Sequence, residues 1–109
     1  MNSLFVEAVN ELEARAVTNK FLEKLQTYII HSKVEKVETY WKIEGMYVVN
    51  LMIIWQKHVT RDGLEEVLSP VADKWIDLGD CLLASKNDEE CTYLLEGIDL
   101  VNIYFRQAN

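Results

Sequence analysis

Little in this chain is suited to holding a metal, a nucleotide or a phosphate: its 109 residues include two histidines, two cysteines, four glycines and one proline. His31 and His58 are far apart in sequence and form no H-E-x-x-H pattern, and Cys81 and Cys91 have a Cys-x9-Cys separation, which is not a metal-ligand spacing. No metal site is expected. Gly45, Gly63, Gly79 and Gly97 are isolated, with neither G-x-G-x-x-G nor a P-loop, so no nucleotide or other cofactor is expected. A Cys/His nucleophilic pair would have to be assembled in space, and nothing local supports one. The thiols read as small buried apolar side chains. No carboxylate pair stands out for acid/base work. Catalytic residues are therefore not expected, and the enzyme reading ranks last.

An excess of basic residues is also missing. Eighteen acids face eleven bases, for a net charge of −7. Such a molecule repels phosphate backbones and has no Lys/Arg stripe, which argues against direct nucleic-acid binding. Acidity favours solubility and also speeds encounter with a basic partner. Long hydrophobic runs are absent too: the nearly apolar stretch from Met46 to Trp55 is broken by Asn50 and falls well short of the roughly 20 residues a spanning helix needs, so no membrane association is expected. The segment from Met1 to Glu7 lacks the basic start of a secretory signal, so the expected location is cytoplasmic with free thiols. Half the residues are apolar, and residues 1–109 read as a single domain.

Along the chain, Phe5, Ala8, Val9, Leu12 and Ala16 have the spacing of one helix face, with Ser3 as a cap. Phe21, Leu22, Leu25, Tyr28 and Ile29 form a second helical set, nearly opposite the first on a continuous helix. The spacing thus predicts two helices with a break near Thr18-Asn19. From Val34 the period changes to that of a strand, with Val37, Thr39, Trp41 and Ile43 on one side and Glu38, Tyr40 and Lys42 on the other. Glu44-Gly45 turns into a partner strand from Met46 to Trp55 that is apolar on both faces apart from Asn50, and such a strand is expected to be covered on both sides. Helical spacing resumes at Leu64, Val67 and Leu68. Ser69-Pro70 then opens a helical segment carrying Val71, Ala72, Trp75 and Ile76, or kinks a single helix, and Gly79 ends it. Cys81 to Ala84 reads as a strand, Asn87-Asp88 as a hairpin turn, and the stretch from Cys91 to Phe105 as a strand with a helical alternative. Cys81 and Cys91 would face each other on that hairpin. The expected fold is α+β: an antiparallel sheet of about four strands with helices packed on it, in the order α-α-β-β-α-β-β.

Acids gather in the second half. Asp62, Glu65 and Glu66 open one helical segment, Asp73, Asp77 and Asp80 follow, with Asp73 and Asp77 on one helix face, and Asp88, Glu89 and Glu90 form a loop-tip group. Acids at a helix start are favoured by the macrodipole, which accounts for the first group. It does not account for Asp77 and Asp80, predicted near a helix end, which call for a partner charge or a solvated edge. These nine residues are the candidate partner-binding surface. The chain also has a good supply of tyrosine and tryptophan, from which interface anchors are usually drawn.

A compact acidic α+β chain with these three groups of acids resembles the bacterial immunity proteins encoded beside polymorphic toxins, including those of contact-dependent growth inhibition. The resemblance is one of size, charge and element order over the whole chain. It implies a stoichiometric complex with a cognate toxin domain, often a basic nuclease, whose substrate groove the acidic surface occludes. A phage-encoded inhibitor that mimics nucleic acid would have much the same sequence. A structural homodimer that buries the strand from Met46 to Trp55 between subunits is a third reading, so the chain is expected as a monomer or a homodimer.

Overall fold

A computed structural model describes residues 2–105. The alternation at the start of the chain is that of a strand. In β1 (Asn2–Glu7), Leu4 and Val6 are buried while Ser3 and Phe5 turn to the other face. The helix begins later, at α1 (Glu11–Leu25), where Asn10 Oδ1 accepts the Glu13 backbone N–H at 2.9 Å and so caps the first turn. It runs unbroken through Thr18-Asn19. Thr18 is buried and its hydroxyl donates to the Ala14 carbonyl at 2.9 Å, so the potential cap residue satisfies itself inside the helix. The buried face of α1 is Ala14, Thr18, Phe21 and Leu25, whereas Val9 and Leu12 are about 80% exposed. A short 3-10 turn (Gln26–Tyr28) leads into β2 (Ile29–Thr39), and the hairpin returns as β3 (Met46–Trp55). Glu44-Gly45 lies in the turn, with Gly45 at a φ of +77°, but the connection spans residues 40–45, so Trp41 and Ile43 stand in it and not on the strand as the alternation suggests.

The second half holds less helix than its apolar spacing suggests. α2 (Leu64–Val67) is a single turn. Beyond it, Ser69-Pro70 opens no helix, because the backbone at residues 71–73 is used elsewhere. Leu95 N–H donates to the Val71 carbonyl at 2.9 Å, Ala72 bridges to Leu94, and Asp73 N–H donates to the Tyr93 carbonyl at 3.2 Å. Val71, Ala72 and Trp75 are still core residues, held by an irregular segment. Then come β4 (Ile76–Asp77), β5 (Cys81–Ser85) and β6 (Ile98–Tyr104). The stretch from Cys91 is a strand only from Ile98, and Cys81 lies opposite Tyr104 with Cys91 out in the connecting loop, so the two thiols do not face each other.

These strands form one antiparallel sheet of six, in the order β2-β3-β1-β6-β5-β4. The expectation of about four strands with several helices, ordered α-α-β-β-α-β-β, is thereby corrected: the order is β-α-β-β-α-β-β-β with one long helix. One face of the sheet carries the core. Leu4, Val6, Leu51, Trp55, Leu82 and Ile103 pack there with Phe21 and Leu25 of α1 and with Leu64, Leu68 and Trp75 of the irregular segment. Neither is β3 covered on both sides. Val49, Leu51, Ile53 and Trp55 are buried, while Val48, Asn50, Met52 and Ile54 stay half-exposed. A polar row keeps that second face compatible with water: Lys36, Asn50, Ser3 and Asn102 stand in register across four strands. The least dimension of 21 Å fits one sheet and one covering layer. Among the described residues, no helix is long and apolar enough to cross a membrane.

Candidate functional site

Charge is divided unevenly along the chain: residues 60–99 hold eleven acids against three bases, whereas residues 1–59 hold seven of each. β4 and β5 lie at the opposite margin of the sheet from β2, which sets Asp77 and Asp80 beside that margin, whereas Glu66 lines a pocket with Tyr28 and His58 near the start of β2. The acid-rich half of the chain thus forms the β4–β5 margin and extends from it toward β2.

In this acid-rich half each of the three cations is tied to a carboxylate. Arg61 Nη2 is 2.8 Å from Asp77 Oδ1 and 3.4 Å from the Gly79 carbonyl, which joins the turn before α2 to the β4–β5 hairpin. Asp77 Oδ1 also accepts the Gly79 N–H at 2.8 Å and so shapes that hairpin turn, where Gly79 has a φ of +96°. Lys74 Nζ is 2.6 Å from Glu90 Oε2, a contact that raises the lysine pKa. Lys86 Nζ lies 3.3 Å from Glu7 Oε2 and 3.8 Å from Asp99 Oδ1.

The nine acids singled out in the sequence thus fall into two groups. Asp73, Asp77, Asp88 and Glu90 have internal roles. Asp73 accepts from the Thr92 hydroxyl and, at 2.9 Å, from the Tyr93 N–H, and these bonds hold its carboxyl below the usual carboxylate range. Asp88 accepts the Glu90 N–H at 2.9 Å within its own turn. Asp62, Glu65, Glu66, Asp80 and Glu89 are exposed and, among the described residues, make no ion pair. Asp73 and Asp77 do not share a helix face, since no helix forms there. One faces the loop at 92–93 and the other faces Arg61. Asp80, at the turn into β5, lines a pocket of about 500 Å³ with Asn2, Glu35 and Tyr104. Apolar side chains stand among the acids: Ile76, Leu78 and Tyr93 are exposed, Leu78 to 56%.

Sequence reasoning missed one cluster. Glu7, Lys86 and Asp99 come from three distant segments and meet where β1 ends beside the start of β6, beyond the reach of any local spacing. The hydrogen bond with Asp99, then Lys86, lowers the Glu7 pKa, while burial and the bond to Glu7 raise that of Asp99. Asp99 Oδ1 is buried without a hydrogen-bond partner among the described residues, and that burial is what opposes its charge. Neither thiol is activated. Burial pushes both Cys81 and Cys91 up, and in each case a neighbouring aspartate, Asp80 or Asp73, adds to the shift. Among the described residues, no three His, Cys, Asp or Glu side chains are grouped so as to hold a metal ion.

What this arrangement can do is attract and seat a cation-bearing surface. The unpaired carboxylates supply the field, and the apolar side chains between them supply contact area. Comparison with known proteins returns no relative: no family model, no curated protein and no solved structure matches the chain.

Proposed function

We propose that this protein binds a basic protein through the acidic end of its sheet and silences it by stoichiometric occlusion. One observation carries the proposal: all three cations of residues 60–99 are already paired, while Asp62, Glu65, Glu66, Asp80 and Glu89 are exposed and, among the described residues, make no ion pair. Carboxylates in such a field occupy the positions that substrate phosphates take on a nuclease. They raise the association rate by steering, and desolvated apolar anchors slow dissociation. The likeness in size and charge to immunity proteins makes a cognate toxin nuclease domain the partner to look for.

The test is capture from the native host on immobilised protein, using wild type and two triple charge reversals with the same change in net charge. Asp62→Lys, Glu65→Lys, Glu66→Lys alters the acid-rich half, and Glu11→Lys, Glu13→Lys, Glu23→Lys alters the balanced half. A basic protein retained by wild type and by the second variant, lost with the first, and inhibited in nucleic-acid cleavage by one equivalent of wild type is the expected result. Equal retention by both variants, or a captured protein whose activity is unaffected, contradicts the proposal.

A further inference from the structure

The charge-balanced half of the chain carries the largest exposed apolar side chains. Trp41, at the tip of the β2–β3 hairpin, is 84% exposed, and Val9 and Ile43, which line a pocket at that tip, are exposed too. The tip is tied to the body. Gly45 carbonyl accepts the Ala8 N–H at 3.0 Å, Tyr40 N–H donates to the Met46 carbonyl at 2.8 Å, and the Tyr40 ring stands edge-on to Phe5 with centroids 5.1 Å apart. Trp41 is therefore presented by a fixed turn, with Lys42 Nζ 5.1 Å from its ring. Next to this knob is a hole, a pocket of about 420 Å³ lined by Val9, Tyr40, Ile43, Met46 and Tyr47.

We infer that this tip is a two-fold interface with a second copy of the chain, in which Trp41 of each protomer enters the pocket beside Val9, Tyr40 and Ile43 of the other. A knob and a hole on one patch make the self-complementary surface that a two-fold contact requires. Charge points the same way. Residues 60–99 hold eleven acids against three bases and residues 1–59 seven of each, so two copies repel less through the half of the chain that carries Trp41. Trp41, Val9 and Ile43 present roughly 300 Å² of apolar surface, counting about 200 Å² for a tryptophan. Doubled, that is about 600 Å², below the roughly 1,200–2,000 Å² of a stable interface, so the contact is of the weak, concentration-dependent kind.

Edge pairing through β2 is the competing way to join two copies, and the strand is built against it. It carries Lys33, Glu35, Lys36 and Glu38 and is bulged near Ile30 and Glu35. A lipid surface fits less well, because a net charge of −7 is repelled by anionic headgroups. The inferred interface stands or falls independently of what the acid-rich half binds.

Trp55 and Trp75 are buried, so a concentration-dependent change in tryptophan emission reports on Trp41. Sedimentation equilibrium and fluorescence over about 1–200 μM compare wild type with Trp41→Ala and Val9→Glu, two exposed positions whose replacement leaves the core intact, as circular dichroism verifies. The expected result is a wild-type dimer whose emission shifts to the blue as it forms, with dimerisation about tenfold weaker or more in each variant. A wild-type monomer throughout this range, a dimer that survives both substitutions, or co-sedimentation of monomer with anionic or zwitterionic vesicles through Trp41 overturns the inference.

Discussion

Arg61 holds Asp77 at 2.8 Å, and this one contact joins the turn before α2 to the edge hairpin of the sheet while masking a carboxylate of the acidic end. Asp77 is mostly exposed and Arg61 about 29% so, and solvent-screened pairs of this kind contribute about 0–1 kcal/mol. Arg61→Gln is expected to change the melting temperature little, yet to speed association with the basic partner and steepen its salt dependence, measured by stopped-flow at several ionic strengths. An association rate below that of wild type would count against the acidic end as the steering surface.

Asn10, and not Ser3, caps the helix. Asn10→Ala should therefore cost about 1 kcal/mol in urea denaturation, the usual loss for an N-cap. Ser3, half-exposed on a strand, should cost about 0.5 kcal/mol or less as alanine. The reverse order would place the helix start at Ser3.

Gly97 has a φ of +89°, and a Cβ there would lie 3.1 Å from Val17 Cγ2 on α1. Its carbonyl also accepts the Glu7 N–H at 2.9 Å, so the backbone cannot simply turn away. Gly97→Ala is expected to lose about 1–2 kcal/mol or more, and Gly97→Ala with Val17→Ala should recover the part due to the clash. Equal stability of the single variant and wild type in denaturant titration would rule out the close approach.

Asp99 and Glu7 respond to pH in opposite ways. Burial, then the bond to Glu7, raises the Asp99 pKa in the folded state, so its contribution to stability is full below the unfolded value and is lost as pH rises through the folded one. Glu7 is lowered, first by its bond with Asp99, so its contribution is present above the ordinary value and lost as pH falls through the folded one. Asp99→Asn removes the charge that burial opposes and keeps a donor for Glu7. It should melt above wild type at neutral pH, and the difference should vanish in acid, where wild-type Asp99 is protonated. A gap of the same size at both pH values would separate Asp99 from the effect.

Strands with period-two patterning were legible in the residues. Val34 to Trp55 reads as a hairpin about Glu44-Gly45 and Cys81 to Ala84 as a strand, while Cys91 to Phe105 reads as a strand against a competing helical spacing and is one only over Ile98–Tyr104, where β-branched and aromatic residues concentrate. β1 was hidden because its Phe5 falls in helical step with Ala8, Val9 and Leu12, although Val9 and Leu12 stay in solvent. The true inner face of α1 includes Ala14 and Thr18, too small and too polar to register in an apolar count. Between Ser69 and Trp75 the buried residues have helical spacing, but pairing with residues 93–95 is a long-range fact that no local pattern carries. The candidate site shared this limit. That acids gather was plain, while the division into structural carboxylates such as Asp73 and available ones such as Glu65 depends on Thr92, Tyr93 and Lys74, which reach them through the fold.

Hydrogen exchange on the complex with the captured basic protein tests the central claim most directly. Added protection is predicted at residues 61–66, 76–80 and 88–93, with α1 and β2 unchanged. Protection confined to α1, β2 or the half-exposed face of β3 would show that the acidic end is a solvated surface and that the partner binds elsewhere.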